Sequence, residues 1–276
     1  MKKMKKLVYL FLVIVFVAAG CKNKQQSDFT IIGEFTPYQS NMEKLTGKVE
    51  KVTETNYWAV PDGESFKKGA KITKKQLDSL MYTSDFEVTY DIAGNLLSCS
   101  AIDENKKIVN KWELTRENNI LIRADFTSKD TLRSYQKLTC DKNGDIIESV
   151  SYKAVVDTLL ERMVAERSTK GDTVIYKVFN YKGEQISKYI LFYNDLKQFL
   201  GYQGYDKDGN YSGGDESKYD DQGKLSQLIF YNKDKIPSSE NSFVNEYDSK
   251  GNWVNQICKD KKGFAIIGER VYKYFE

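Results

Sequence analysis

The chain has 276 residues, 13% of them aromatic (19 Tyr, 14 Phe, 3 Trp), with three Pro and no His. The missing His excludes Ser-His and Cys-His nucleophilic systems, His-ligated zinc and a His-based pH switch. The formal charge of +3 depends on Lys2, Lys3, Lys5 and Lys6; without them 38 basic groups face 39 acidic ones, a mixed-sign balance that gives no reason to expect nucleic acid.

The chain opens on a leader. Met1 to Lys6 is basic, and Leu7 to Ala19 is an apolar run of thirteen, too short to span a bilayer comfortably but suited to a secretory signal peptide. The run ends in Val17-Ala18-Ala19-Gly20-Cys21, small residues leading into a cysteine. This pattern resembles the lipobox of bacterial lipoproteins. The resemblance implies that residues 1–20 are removed and that the Cys21 thiol receives a diacylglyceryl group. Several acyl chains then hold the protein to a membrane firmly, whereas one binds only marginally. Lys22, not Asp, follows the cysteine, which by analogy with lipoprotein sorting favours the outer membrane of a Gram-negative cell. Residues 21–44 read as the acylated cysteine and a polar tether, and 45–276 as the folded domain.

Gly47 to Trp58 is rich in β-branched residues and reads as a first strand. A short helix is expected near residues 73–81, with Thr73 as its cap and Leu77, Leu80 and Met81 on one side. Beyond Ser84 one frame recurs: an aromatic residue, Asp or Asn, two free positions, then Gly. It occurs at Tyr90…Gly94, Phe179…Gly183, Tyr205…Gly209, Tyr219…Gly223 and Tyr247…Gly251, and with Cys in place of the aromatic at Cys140…Gly144. The acid or amide opens a type I turn, and the Gly takes the left-handed position of a three-residue hairpin loop. Weaker turn signals lie between these, among them Asp103 to Lys106, Asn232 to Asp234 and Lys261 to Gly263. The frame predicts the cross-strand pairs Tyr90–Leu96, Cys140–Ile146, Tyr205–Tyr211, Tyr219–Leu225 and Tyr247–Trp253. Phe179 and Gln185 break the aromatic pattern, so a shifted hairpin is expected there. Val155 to Val164 also shows helical spacing. Its turn-to-turn length matches that of a neighbouring repeat, so strand is expected. The expected fold is an all-β antiparallel meander of repeated hairpins forming an open, curved sheet.

The Tyr-Asp-x-x-Gly frame resembles the YD (RHS-like) repeats of exported bacterial proteins. Together with the lipobox, it resembles the repeat lipoproteins of Bacteroidetes, and that family implies no activity. Chemical candidates are few, and no cofactor motif is present. Asp206, Asp208 and Asn210 alternate like calcium ligands, but Gly209 and Ser217 do not fit an EF-hand, so a turn is expected. Asp215, Glu216, Asp220 and Asp221 lie close in sequence without a glycosidase frame. Cys99, Cys140 and Cys258 are expected as unbridged thiols. Charges such as Lys111, Glu113 and Arg116 oppose a membrane-spanning barrel. The aromatic positions Tyr90, Tyr205, Tyr211, Tyr219, Tyr247 and Trp253 are candidates for a binding face. The function expected is a non-catalytic, lipid-anchored envelope module that binds a protein or a glycan. A carboxylate-based glycan-processing enzyme and an immunity-type protein stay open.

Overall fold

The computed structural model describes residues 29–32, 43–80, 85–142, 146–196 and 198–276; the leader, Cys21 and Gly144 lie outside them. The elements are β1 (Phe29–Ile32), β2 (Glu43–Thr46), β3 (Val49–Asp62), β4 (Ser65–Lys71), α1 (Lys74–Leu80), β5 (Asp85–Tyr90), β6 (Leu96–Ile102), β7 (Ile108–Glu117) and β8 (Ile120–Thr127). They continue as β9 (Leu132–Cys140), β10 (Ile146–Lys153), β11 (Thr158–Arg167), β12 (Thr173–Asn180), β13 (Gln185–Tyr193) and β14 (Phe199–Asp206). The last are β15 (Tyr211–Tyr219), β16 (Leu225–Tyr231), β17 (Pro237–Tyr247), β18 (Trp253–Asp260) and β19 (Ala265–Tyr274). Among the described residues α1 is the only helix. Its start is a reciprocal cap: the Gln76 amide N–H reaches the Thr73 hydroxyl at 3.4 Å, and the Thr73 N–H donates to Gln76 Oε1 at 2.9 Å. The ambiguous stretch is a turn up to Asp157 and strand β11 from Thr158 onward.

Sheet order corrects the expected architecture. β3 to β19 form a closed antiparallel barrel. The closing ladder runs from Ile266 opposite Trp58 to Tyr274 opposite Val49, joining β19 to β3. β5 pairs with the first half of β3 and β4 with the second half, so β4 is a hairpin arm on a ring of sixteen strands. The open, curved sheet is therefore overturned. Hairpin spacing sets which strands are sequential neighbours, but it carries no information on whether the last strand finds the first. β3 is long enough to pair with β4, β5 and β19, and closure removes the two edges that an open sheet of the ring strands would have.

Contacts divide the chain into two compact units. In the first, which holds β9 to β16, period-two alternation buries one face of strands such as β12 and β13. Leu138, Met163, Val174, Tyr176, Val178, Tyr189, Leu191 and Phe199 are buried. Each large apolar side chain of this kind contributes about 1.5–3 kcal/mol. The second unit holds β3 to β6, α1, β18 and β19. There Ile72 and Leu77 pack with Ile266, Trp58 and Phe264, the two rings meeting edge-on at 5.4 Å. Its buried Arg270 bonds Glu54 at 2.9 Å and lies 3.7 Å from the centre of the Trp253 ring. Asp85 accepts from the Asn56 N–H at 2.9 Å and meets the Lys71 ammonium at 2.9 Å. Cys99 and Cys258 are buried thiols, whereas Cys140 is disulfide-bonded, which corrects the expectation of three thiols.

The turns explain the repeating frame atom by atom. In the loop at Asp248, the carboxylate accepts the N–H groups of Lys250 and Asn252, and the Gly251 N–H closes a turn onto the Asp248 carbonyl. Gly251 sits at φ +85. The same bonds recur at Asn180, Asp206 and Asp220. They recur also at the weaker signals Asp103, Asn232 and Asp260, where Lys106 and Lys235 take the left-handed position without being Gly. The ladder pairs Tyr90 with Leu96, Cys140 with Ile146, Tyr205 with Tyr211, Tyr219 with Leu225 and Tyr247 with Trp253. Phe179 pairs with Gln185 in the same register, so that hairpin is not shifted.

Candidate functional site

The six candidate aromatics do not share one surface. Tyr90 and Trp253 are buried, and Trp253 is covered by Arg270. The Tyr219 hydroxyl donates to the Phe199 carbonyl at 2.7 Å, which ties its ring to the neighbouring hairpin. Tyr247 is partly exposed at the end of β17. Only Tyr205 and Tyr211 come together with solvent access. Of the turn glycines, Gly94, Gly183, Gly209, Gly223 and Gly251 all have left-handed φ, between +74 and +85.

Tyr205 and Tyr211 face each other across the β14–β15 hairpin, ring centres 6.0 Å apart and nearly perpendicular. The register places Lys188 beside Tyr205, Gly214 beside Gln203, and Tyr231 beside Gly214. The Lys188 ammonium lies 4.6 Å from the Tyr205 ring centre, and that of Lys235 lies 5.4 Å from the Tyr211 ring centre. The Tyr205 hydroxyl donates to Gln203 Oε1 at 2.8 Å, and the Tyr231 hydroxyl donates to Glu216 at 2.8 Å. Gly214 makes the patch possible. A Cβ there would stand 2.3 Å from the Tyr202 carbonyl oxygen and 2.8 Å from the Tyr211 hydroxyl. Burial raises the Tyr211 pKa, with smaller contributions from Tyr205 and Asp215, so its hydroxyl stays protonated at neutral pH. Sequence reading found the two tyrosines but missed Lys188, Lys235, Gln203 and Tyr231. Their proximity depends on ladder register across four strands. The adjacent glycines Gly213 and Gly214 in mid-strand were the available signal, since such glycines mark close backbone approach.

The acidic run splits between faces. Asp215 points into the core and is paired across the ladder with Tyr202 and Phe230, while Glu216 lies on the tyrosine face. Burial pushes the Asp215 pKa up to about 8, opposed by the Tyr202 N–H at 3.2 Å, and burial pushes Glu161 up to about 7. Asp220 is used by its turn. Asp206 likewise spends both carboxylate oxygens on its own loop, and among the described residues no three Asp, Glu, Cys or His side chains gather as a metal site requires. A shallow, open groove of about 490 Å³ in the second unit includes Glu50 and Glu87, but Lys273 and Lys51 hold these carboxylates. The patch and the groove thus offer surfaces for binding.

The fold defines a closed antiparallel β-barrel protein. No protein-family model matches the chain, and no curated protein does. Among solved structures it is similar to a porin-like protein from Bacteroides uniformis, at 9% identity and a TM-score of 0.51 over 82% of this chain and 98% of that one. A porin-like protein from Bacteroides vulgatus is similar at 10% identity and a TM-score of 0.48, over 82% and 99%. Identities this low bear on the fold alone. The likeness to the Bacteroides uniformis protein and the closed sheet correct the reading of the chain as a YD (RHS-like) repeat protein. The frame that suggested the repeat is the signature of one hairpin loop, which any antiparallel barrel can use many times.

Proposed function

We propose that this protein is a lipid-anchored, non-catalytic binding module of the cell envelope, held by an acyl group on Cys21 and a tether over residues 21–44. Its barrel stands in water and does not cross the bilayer. One observation carries this: the faces are the inverse of a transmembrane barrel. The buried face carries Leu138, Met163 and Val178 in register, and the opposite face carries Lys137, Glu148, Arg162, Lys177 and Lys188. A spanning barrel needs an apolar outer band, and Lys or Arg at the midplane costs about 2–4 kcal/mol each. The likeness to a porin-like protein supports an envelope setting, while the exposed charges speak against a pore. The leader and lipobox favour the outer membrane. Binding at the half-buried tyrosine patch fits the geometry best.

The test is metabolic labelling with radioactive palmitate. The native chain takes up label and Cys21→Ser does not; label retained in the variant would defeat the anchor.

A further inference from the structure

Resting on the binding reading above, we infer that the Tyr205–Tyr211 patch recognises an acidic glycan, a sugar chain bearing carboxylate groups. Three observations point the same way. First, the two rings are edge-to-face, so they cannot both be flush with a flat apolar partner, but they can present a face and an edge to the C–H surface of a pyranose. Second, each ring has its own ammonium, Lys188 on Tyr205 and Lys235 on Tyr211. Neither lysine has a carboxylate partner among the described residues, whereas Lys177 pairs with Glu166. The same face carries one carboxylate, Glu216, which accepts from the Tyr231 hydroxyl. The patch thus sets two ammonium groups against one carboxylate. Third, Gln203 accepts from Tyr205 through Oε1, which leaves its amide N–H groups as donors.

The charge pattern selects among acidic ligands. Single ammonium groups, one on each ring, match singly charged carboxylates on separate sugars. A phosphate dianion is better met by a bidentate Arg or by converging backbone N–H groups, and the patch has neither. A protein partner would draw on a broader apolar surface than two tyrosines ringed by charge. Gly214 holds the geometry by letting Tyr211 lie over the sheet, so the platform is formed before any ligand arrives.

The experiment is calorimetric titration of the full-length protein in detergent with hexagalacturonate, maltohexaose and glucose 6-phosphate. Hexagalacturonate should bind, with affinity falling as salt rises, and the other two should bind at least tenfold more weakly. Lys188→Met and Lys235→Met, which keep most of the side-chain stem, should each weaken binding by roughly 3–10-fold, and Tyr211→Ala by more than tenfold. Tyr211→Phe should retain binding, and melting curves of each variant separate lost contact from lost fold. Equal binding of maltohexaose, or lysine variants without effect, would overturn the acidic assignment. No sugar binding at all, with palmitate labelling intact, would overturn this inference and leave the anchor standing. Tyr211-dependent capture of an envelope protein in place of sugar would overturn it in favour of a protein ligand.

Discussion

At the scale of single residues, the turn glycines and the buried acids make opposite demands. Gly251 at φ +85 has open space where a Cβ would be, so substitution there tests backbone strain alone. Gly251→Val should cost roughly 1–3 kcal/mol, and Gly251→Asn much less, because Asn visits the left-handed region readily. The checking measurement is the pair of melting midpoints; equal losses would remove the turn assignment. Gly214, which lies outside the turn frame, is no neutral control. It has a backbone oxygen 2.3 Å from the Cβ position, so Val and Asn there should both be costly. Asp215 gives the pH dependence. The native state keeps its proton up to about pH 8, while an unfolded Asp releases it near pH 4. Between these values the unfolded chain binds fewer protons, so stability falls as pH rises through that window. Asp215→Asn, which keeps an acceptor for the Tyr202 N–H, should flatten that fall. It should melt higher than the native protein near pH 8.5, by roughly 2–4 °C for each kcal/mol regained. An unchanged pH slope of the melting midpoint would show that Asp215 does not carry the buried proton.

At the scale of elements, hairpins were legible and their closure was not. The Asp or Asn carboxylate or amide that binds two backbone N–H groups is a local event. The sequence therefore predicted the loop at Asp248 and the pairing of Tyr247 with Trp253. The same local chemistry hid how general it was, since Lys106 and Lys235 fill the glycine position at Asp103 and Asn232. The β19–β3 ladder joins segments more than two hundred residues apart, and no local pattern encodes it. The site shows the same division. Tyr205 and Tyr211 belong to one hairpin frame, whereas Lys188 reaches them from β13 and Lys235 from the loop between β16 and β17. Nothing local sets Asp215 apart from Glu216, Asp220 and Asp221, because burial depends on which face the bulged β14–β15 register selects. Closure has a direct test at Thr53 and Val271, which are ladder partners. Thr53→Cys with Val271→Cys should form a disulfide on mild oxidation, because directly opposed positions of an antiparallel pair bring Cβ atoms about 4.5–5.5 Å apart. Peptide mapping that found the two cysteines unlinked would contradict the closed ring.

At the scale of the whole molecule, the claim is that lipid alone ties the protein to the membrane and the barrel stands in water. The facing of the strands supports the second half of this proposal: apolar side chains such as Leu138, Met163 and Val178 share the buried face, and Lys137, Arg162 and Lys177 lie on the opposite one. The most direct measurement exchanges residues 1–21 for a cleavable secretory leader that lacks the cysteine, then asks which fraction holds the processed chain. The account predicts a folded protein released into the soluble periplasmic fraction, with the β-rich circular dichroism of the anchored form. A processed chain that stays in the outer membrane and resists alkaline carbonate extraction would contradict it, because such a chain could be held only by its strands.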